Sequence, residues 1–284
     1  MLQNFLIGLR EGLEAALIVG ILIGYLRRIG HTRAIGLMWI GIGIAITVSV
    51  VFGAILTFGP STLTFEAQEA LGGSLSIIAV GFVTWMVFWM AATARNLKGS
   101  LESDLERALE GSAWGLILVG ALSVGREGLE TTLFLWAATR SATSGVAAAW
   151  SAVGAALVGI AVAVVLAWLI TRGLIRINLG KFFTITGGFL IIIAAGVLAY
   201  GIHDLQEAGI LPGLHALAFD VSHAIPPTSW YGTLLKGVFN FSPATTWLEL
   251  IAWWTYVGIV MPIFIARVRH RPRTPAPAAV PATA

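Results

Sequence analysis

The chain has 284 residues, 57% of them hydrophobic and only 11% charged, with a mean hydropathy of +0.89. No water-soluble domain of this size needs so apolar a composition to fill its core, so lipid is the expected solvent. A formal net charge of +3 does not point to nucleic acid, because the basic residues fall in short clusters between long apolar runs.

There is no cysteine, which excludes disulfides and thiolate metal ligands and leaves carboxylate, carbonyl and imidazole for any metal, which would then be a hard cation. The amino terminus enters an apolar stretch that contains Arg10, Glu11 and Glu14 and has neither the basic leader nor the cleavage site of a removable signal. The first helix is therefore expected to stay. Apolar runs of about 20 residues, the length that crosses a bilayer core, predict membrane helices at 5–26, 35–58, 70–94, 113–138, 146–171, 182–202 and 245–266. The chain thus reads as an all-α polytopic membrane protein of seven helices, with residues 1–266 forming a single membrane domain.

The loops after the first, third and fifth helices carry Arg27, Arg28 and Arg33, then Arg95, Lys98 and Arg107, then Arg172, Arg176 and Lys181. The carboxyl tail adds Arg267, Arg269, Arg271 and Arg273, whereas the intervening loops hold only Arg140 and Lys236. The positive-inside rule then places the amino terminus outside and the carboxyl terminus in the cytoplasm of a multi-pass cell-membrane protein. Residues 203–244, with Pro212, Pro226, Pro227 and Pro243, read as an extracytoplasmic segment of short interfacial helices and turns, and 267–284 as a disordered cytoplasmic tail. The acidic run Glu102, Asp104, Glu106 and Glu110 reads as a solvated amphipathic stretch.

Arg10-Glu11-Gly12-Leu13-Glu14 recurs unchanged as Arg126-Glu127-Gly128-Leu129-Glu130. At the same offset Gly43-Ile44-Ala45 aligns with Gly159-Ile160-Ala161, and one residue closer Gly72-Gly73 aligns with Gly187-Gly188. Three consecutive helices therefore repeat, about 1–94 and about 113–202. An odd number of spans per unit inverts the second copy, so the expected architecture is a 3+3 inverted repeat plus one added C-terminal helix.

Four glutamates and two arginines within membrane helices would cost roughly 15–20 kcal/mol if unpaired. Glu11 and Glu14 share a helical face, as do Glu127 and Glu130, and each arginine stands four residues before the second glutamate of its pentad, within reach of an ion pair. If the first and fourth helices pack together, four carboxylates converge on a cation-binding site; oxygen ligands and high negative charge favour a small trivalent ion. Gly12 and Gly128 would bring backbone close to the ion or ease a local break in the helix. The structural alternative is that these are salt bridges that only hold two helices together, and a metal-free proton relay is another.

Glu66 with Glu69, and Asp204 with Glu207, form acidic pairs at the predicted outer surface that could collect cations. Glu249, near Trp247, Trp253 and Trp254, reads as interfacial. No histidine lies inside a predicted span and no Glu-x-x-His pattern occurs, which argues against a bis-histidine haem protein or a ferritin-like oxidase.

At these residues the chain resembles the high-affinity iron permease family, the fungal ferric permeases and their bacterial EfeU-type relatives. Both copies of the family's Arg-Glu-Gly-Leu-Glu pentad stand intact, and Gly201-Ile202-His203-Asp204-Leu205-Gln206-Glu207 is similar to the family's stretch at the end of the sixth helix. The resemblance covers residues 1–266. It implies a transporter rather than an enzyme, with iron (Fe3+) as the transported substrate, no permanently bound cofactor, and Glu11, Glu14, Glu127 and Glu130 as iron ligands supported by Arg10 and Arg126. It makes Glu66, Glu69, Asp204 and Glu207 the expected capture site. It also implies a separate extracytoplasmic iron-binding protein and a haem peroxidase or ferroxidase as partners. The rival readings are a divalent-metal or proton-coupled cation carrier and a non-transporting membrane anchor of an iron oxidase.

Overall fold

The computed structural model describes residues 2–59, 63–93, 97–110, 113–142, 146–174, 179–226, 229, 231–232, 235–236 and 241–269. Among them, helices α1 (Leu2–Arg28), α2 (Thr32–Phe58), α3 (Phe65–Thr93), α4 (Leu97–Glu110), α5 (Ala113–Ala142), α6 (Val146–Thr171) and α7 (Leu179–Glu207) precede strands β1 (Leu217–Asp220) and β2 (Ala244–Thr246), and α8 (Trp247–Arg269) follows. The fold is all-helical apart from this one antiparallel ribbon.

Five helices contain stretches long and apolar enough to cross a membrane: Thr32–Thr57, Phe65–Met90, Trp150–Thr171, Gly180–Glu207 and Trp247–Arg269. Helices α1 and α5, of 27 and 30 residues, are as long but carry the charged pentads. The outer faces of α2 and α6 expose Ile40, Ile44, Val50, Leu157, Val158 and Val165. Contiguous apolar surface on this scale suits lipid tails, and helices satisfy their own backbone there.

The largest interfaces pair α1 with α6, α2 with α5 and α3 with α7, while α1 also meets α5 and α8 lies against α7. This pairing is unchanged when α1, α2 and α3 are exchanged for α5, α6 and α7. Each pair closes on small residues. A Cβ placed on Gly8 would collide with the carbonyl oxygen of Ala156, and one on Gly41 with that of Ile117. Backbone cannot yield as a flexible side chain can, so glycine sets how near the axes come. Gly8→Val is accordingly expected to destabilise the detergent-solubilised protein by several degrees in a thermal melt. Gly24→Ala, in the same helix with nothing near its Cβ, should leave the melt unchanged or raise it, by about 0.5–1 kcal/mol.

Several expectations change. The segment after the sixth predicted span holds the β1–β2 ribbon in addition to turns and helical residues at 231–232 and 235–236, and Gln206 anchors it by donating to Pro212 O and accepting from Thr246. Helix α7 runs on to Glu207, so Asp204 and Glu207 stand on its last turns. The acidic stretch forms α4, amphipathic as expected but with Leu101 and Leu105 buried against the ends of α1 and α5; Tyr25 on α1 donates to Glu106. Arg95, Arg176, Pro227, Arg271, Arg273 and the tail beyond 269 lie outside the described residues.

Candidate functional site

Both pentads sit in continuous helix, so the expected break at the central glycine does not occur. Gly12 instead meets Ile160 and Ala163 of α6, and a Cβ on Gly128 would collide with the Ser49 hydroxyl of α2. The glycines turn away from the charges, and their office is close helix packing.

On the other face, oxygens of Glu11, Glu14 and Glu127 lie within 4.8 Å of one another, all three buried. Arg10 donates to Glu11 Oε1 at 2.8 Å, lies 3.2 Å from Glu14 Oε1, and directs its other terminal nitrogen at Met86 Sδ, 2.7 Å away. Arg126 Nε donates to Glu130 Oε1 at 2.9 Å and lies 4.0 Å from Glu127 Oε1. Glu130 thus stands outside the tightest trio but is bound to it through Arg126.

The four carboxylates do not fully satisfy themselves. Glu11 Oε2, Glu127 Oε2 and Glu130 Oε2 are buried without a hydrogen-bond partner, and Glu14 Oε1 has only its ion pair with Arg10. Buried carboxylate oxygens are costly unless paired, and a cation supplies what two guanidinium groups cannot. Against the four carboxylates the arginines leave a formal balance of −2. The salt bridges are real, but three orphan carboxylate oxygens do not suit a purely structural clasp.

Sequence reasoning missed the third helix at this site. Met86 caps Arg10, and the Arg126 Cζ lies 3.7 Å from the Trp89 ring centre and 5.3 Å from that of Trp85. In an apolar run, such residues carry no mark that separates a wall of a charged site from a lipid-facing surface.

Of the acidic residues expected at the outer surface, Glu69, Asp204 and Glu207 bring oxygens within 4.8 Å of one another, whereas Glu66 is exposed at the first turn of α3 and does not join them. Glu249, in the first turn of α8, is a paired charge rather than a solvated one. It is buried, accepts from Thr246 at 3.0 Å, and lies 2.9 Å from His203 Nδ1, while His203 Nε2 lies 3.5 Å from Glu207.

An apolar layer separates the two acidic clusters. Along α3 the rise from Glu69 to Met86 is about 25 Å, and between them Ala79, Val80 and Val83 pack with Ile7, Phe134 and Ile193. Ile7 lies one turn before Arg10, and Phe134 one turn after Glu130.

A buried, carboxylate-rich centre between two helices of an apolar bundle defines a membrane carrier of cations, and the comparisons with known proteins say which. Residues 1–270 match the Iron permease FTR1 family, and the chain belongs to that family. It is 39% identical over 268 residues to the ferrous iron permease EfeU of Escherichia coli O6:K15:H31 (strain 536 / UPEC), spanning 93% of this chain and 95% of that protein. The ferrous iron permease EfeU of Shigella sonnei (strain Ss046) is 39% identical over 260 residues, 90% of this chain and 92% of its own. That of Yersinia pestis is 32% identical over 263 residues, 90% of each. No solved structure matches. The protein is an iron permease and not an enzyme.

Proposed function

We propose that this permease imports iron across the cytoplasmic membrane through a site formed by Glu11, Glu14, Glu127 and Glu130, with Arg10 and Arg126 holding the carboxylates between ions. The observation that carries the reading is the cluster of buried carboxylates from both pentads, three of which, Glu11, Glu127 and Glu130, keep an oxygen with no partner. Helices α1 and α5 complete seven spans with the five apolar ones. The exchange-invariant pairing of α1–α3 with α5–α7 supports an inverted repeat. The basic loops put the amino terminus outside, so Glu69, Asp204 and Glu207 form the capture cluster, and the apolar layer beneath it must part for an ion to pass. An extracytoplasmic iron-binding protein with a haem peroxidase would deliver iron to that face; a ferroxidase partner, whose product is Fe(III), belongs with a ferric substrate.

The ion we assign is Fe(II). The relatives are named ferrous permeases, and a divalent ion neutralises the formal −2 of the site, which a low-dielectric interior favours. Ferric iron is the second reading, favoured by the all-oxygen donor set, which suits hard cations. Uptake of radioactive iron by purified protein in liposomes separates them: the expected result is faster uptake with ascorbate, abolished by a ferrous chelator. Uptake from ferric citrate that survives the chelator would reverse the assignment. A protein that moves no iron alone would be an anchor, and manganese or zinc competing equally with iron would mark a general divalent carrier.

A further inference from the structure

The two pentads are identical in sequence but differently housed. Arg10 is 1% exposed and fixed from three sides, by Glu11, Glu14 and the Met86 thioether. The Arg126 side chain is 31% exposed and makes one close ion pair where Arg10 makes two; each arginine keeps one buried nitrogen without a hydrogen-bond partner, Nε of Arg10 and Nη2 of Arg126. What else holds Arg126 is aromatic: the guanidinium lies over Trp89, and Trp85 stacks with Trp89 at 6.4 Å between ring centres.

A cation that binds Glu127 and Glu130 repels the guanidinium already there. A charge displaced from carboxylates inside a bundle needs another partner, and an indole face attracts a guanidinium without competing for the metal. Among the described residues Arg10 has no such surface against it, only the acidic oxygens and one sulfur. We propose that Trp89, with Trp85 stacked on it, is a positioning residue of the iron site: it keeps hold of Arg126 when an incoming cation takes the carboxylates. The two pentads then divide the work, the first rigid and the second yielding. This rests on the pentads being the iron site.

The test is uptake of radioactive iron against concentration, supplied with ascorbate and as ferric citrate, in cells carrying wild type, Trp89→Phe, Trp89→Leu, Arg126→Gln or Arg126→Gln with Trp89→Leu, normalised to membrane abundance. Trp89→Leu is expected to raise the half-saturating iron concentration about fivefold with little change in maximal rate, and Trp89→Phe to recover most of that loss. In the Arg126→Gln background, Trp89→Leu should add nothing. A wild-type curve for Trp89→Leu, a fall in maximal rate alone, or the same shift without the arginine would overturn the proposal. If Trp89→Leu fails to reach the membrane, Trp89→Met, which also lacks the aromatic face, decides in the two backgrounds: a shift confined to the arginine background supports the clamp, and none refutes it. Full uptake by Glu130→Gln would sink the iron-site reading itself; lost uptake there beside a normal Trp89→Leu curve would sink only the clamp.

Discussion

Glu14→Gln and Glu130→Gln should each cut iron uptake at least tenfold, in order of magnitude, while leaving the amount of protein in the membrane unchanged. The amide keeps the shape of the carboxylate and removes one charge. Arg10 retains Glu11 at 2.8 Å when Glu14 is neutralised, so the helix pair keeps an ion pair to hold it. What is lost is a donor to the metal, since Glu14 contributes to the buried trio and Glu130 carries one of the orphan oxygens. Uptake by whole cells, with abundance read by immunoblot, measures both quantities. Unchanged uptake in both variants would reduce the pentads to a structural clasp.

The arginines should part company in stability. Arg10→Met removes the counter-charge from a place where Glu11 and Glu14 are 1% and 2% exposed, and breaking a buried pair from one side costs about 3–5 kcal/mol. In a protein of this size that corresponds to a thermal transition lower by about 10 °C. Arg126→Met should cost less than half as much, because its side chain is 31% exposed and makes one close ion pair where Arg10 makes two. Both variants are expected to insert and to transport more slowly. Differential scanning fluorimetry in detergent checks the difference, and equal shifts would show that the two housings do not matter energetically.

The pentads were legible because charge inside an apolar run is expensive, so its appearance twice at the same spacing demands explanation. The helices were legible for the related reason that lipid leaves the backbone few alternatives. Other features were not open to sequence reasoning. Identical pentads give no hint that one arginine is sealed and the other half-open, since that depends on what α3 places above each. Met86, Trp85 and Trp89 belong to a helix whose apolar residues look interchangeable until its partners are known. Glu249 looked like an interfacial charge beside tryptophans, yet α7 brings His203 to it from 46 residues away. The central glycines were read toward the ion and turned out to face α6 and α2, because a glycine marks a close approach without saying on which side. Glu66 and Glu69 are three apart on one helix, but only Glu69 meets the end of α7.

The central claim is that iron in transit rests among the carboxylates of α1 and α5. Anomalous diffraction at the iron edge, from crystals of the purified permease loaded with ferrous iron under reducing conditions, tests it most directly. The account predicts a peak within ligand distance of Glu11, Glu14 and Glu127 that is lost in Glu14→Gln; iron found only at Glu69, Asp204 and Glu207, or a peak indifferent to that substitution, would contradict it.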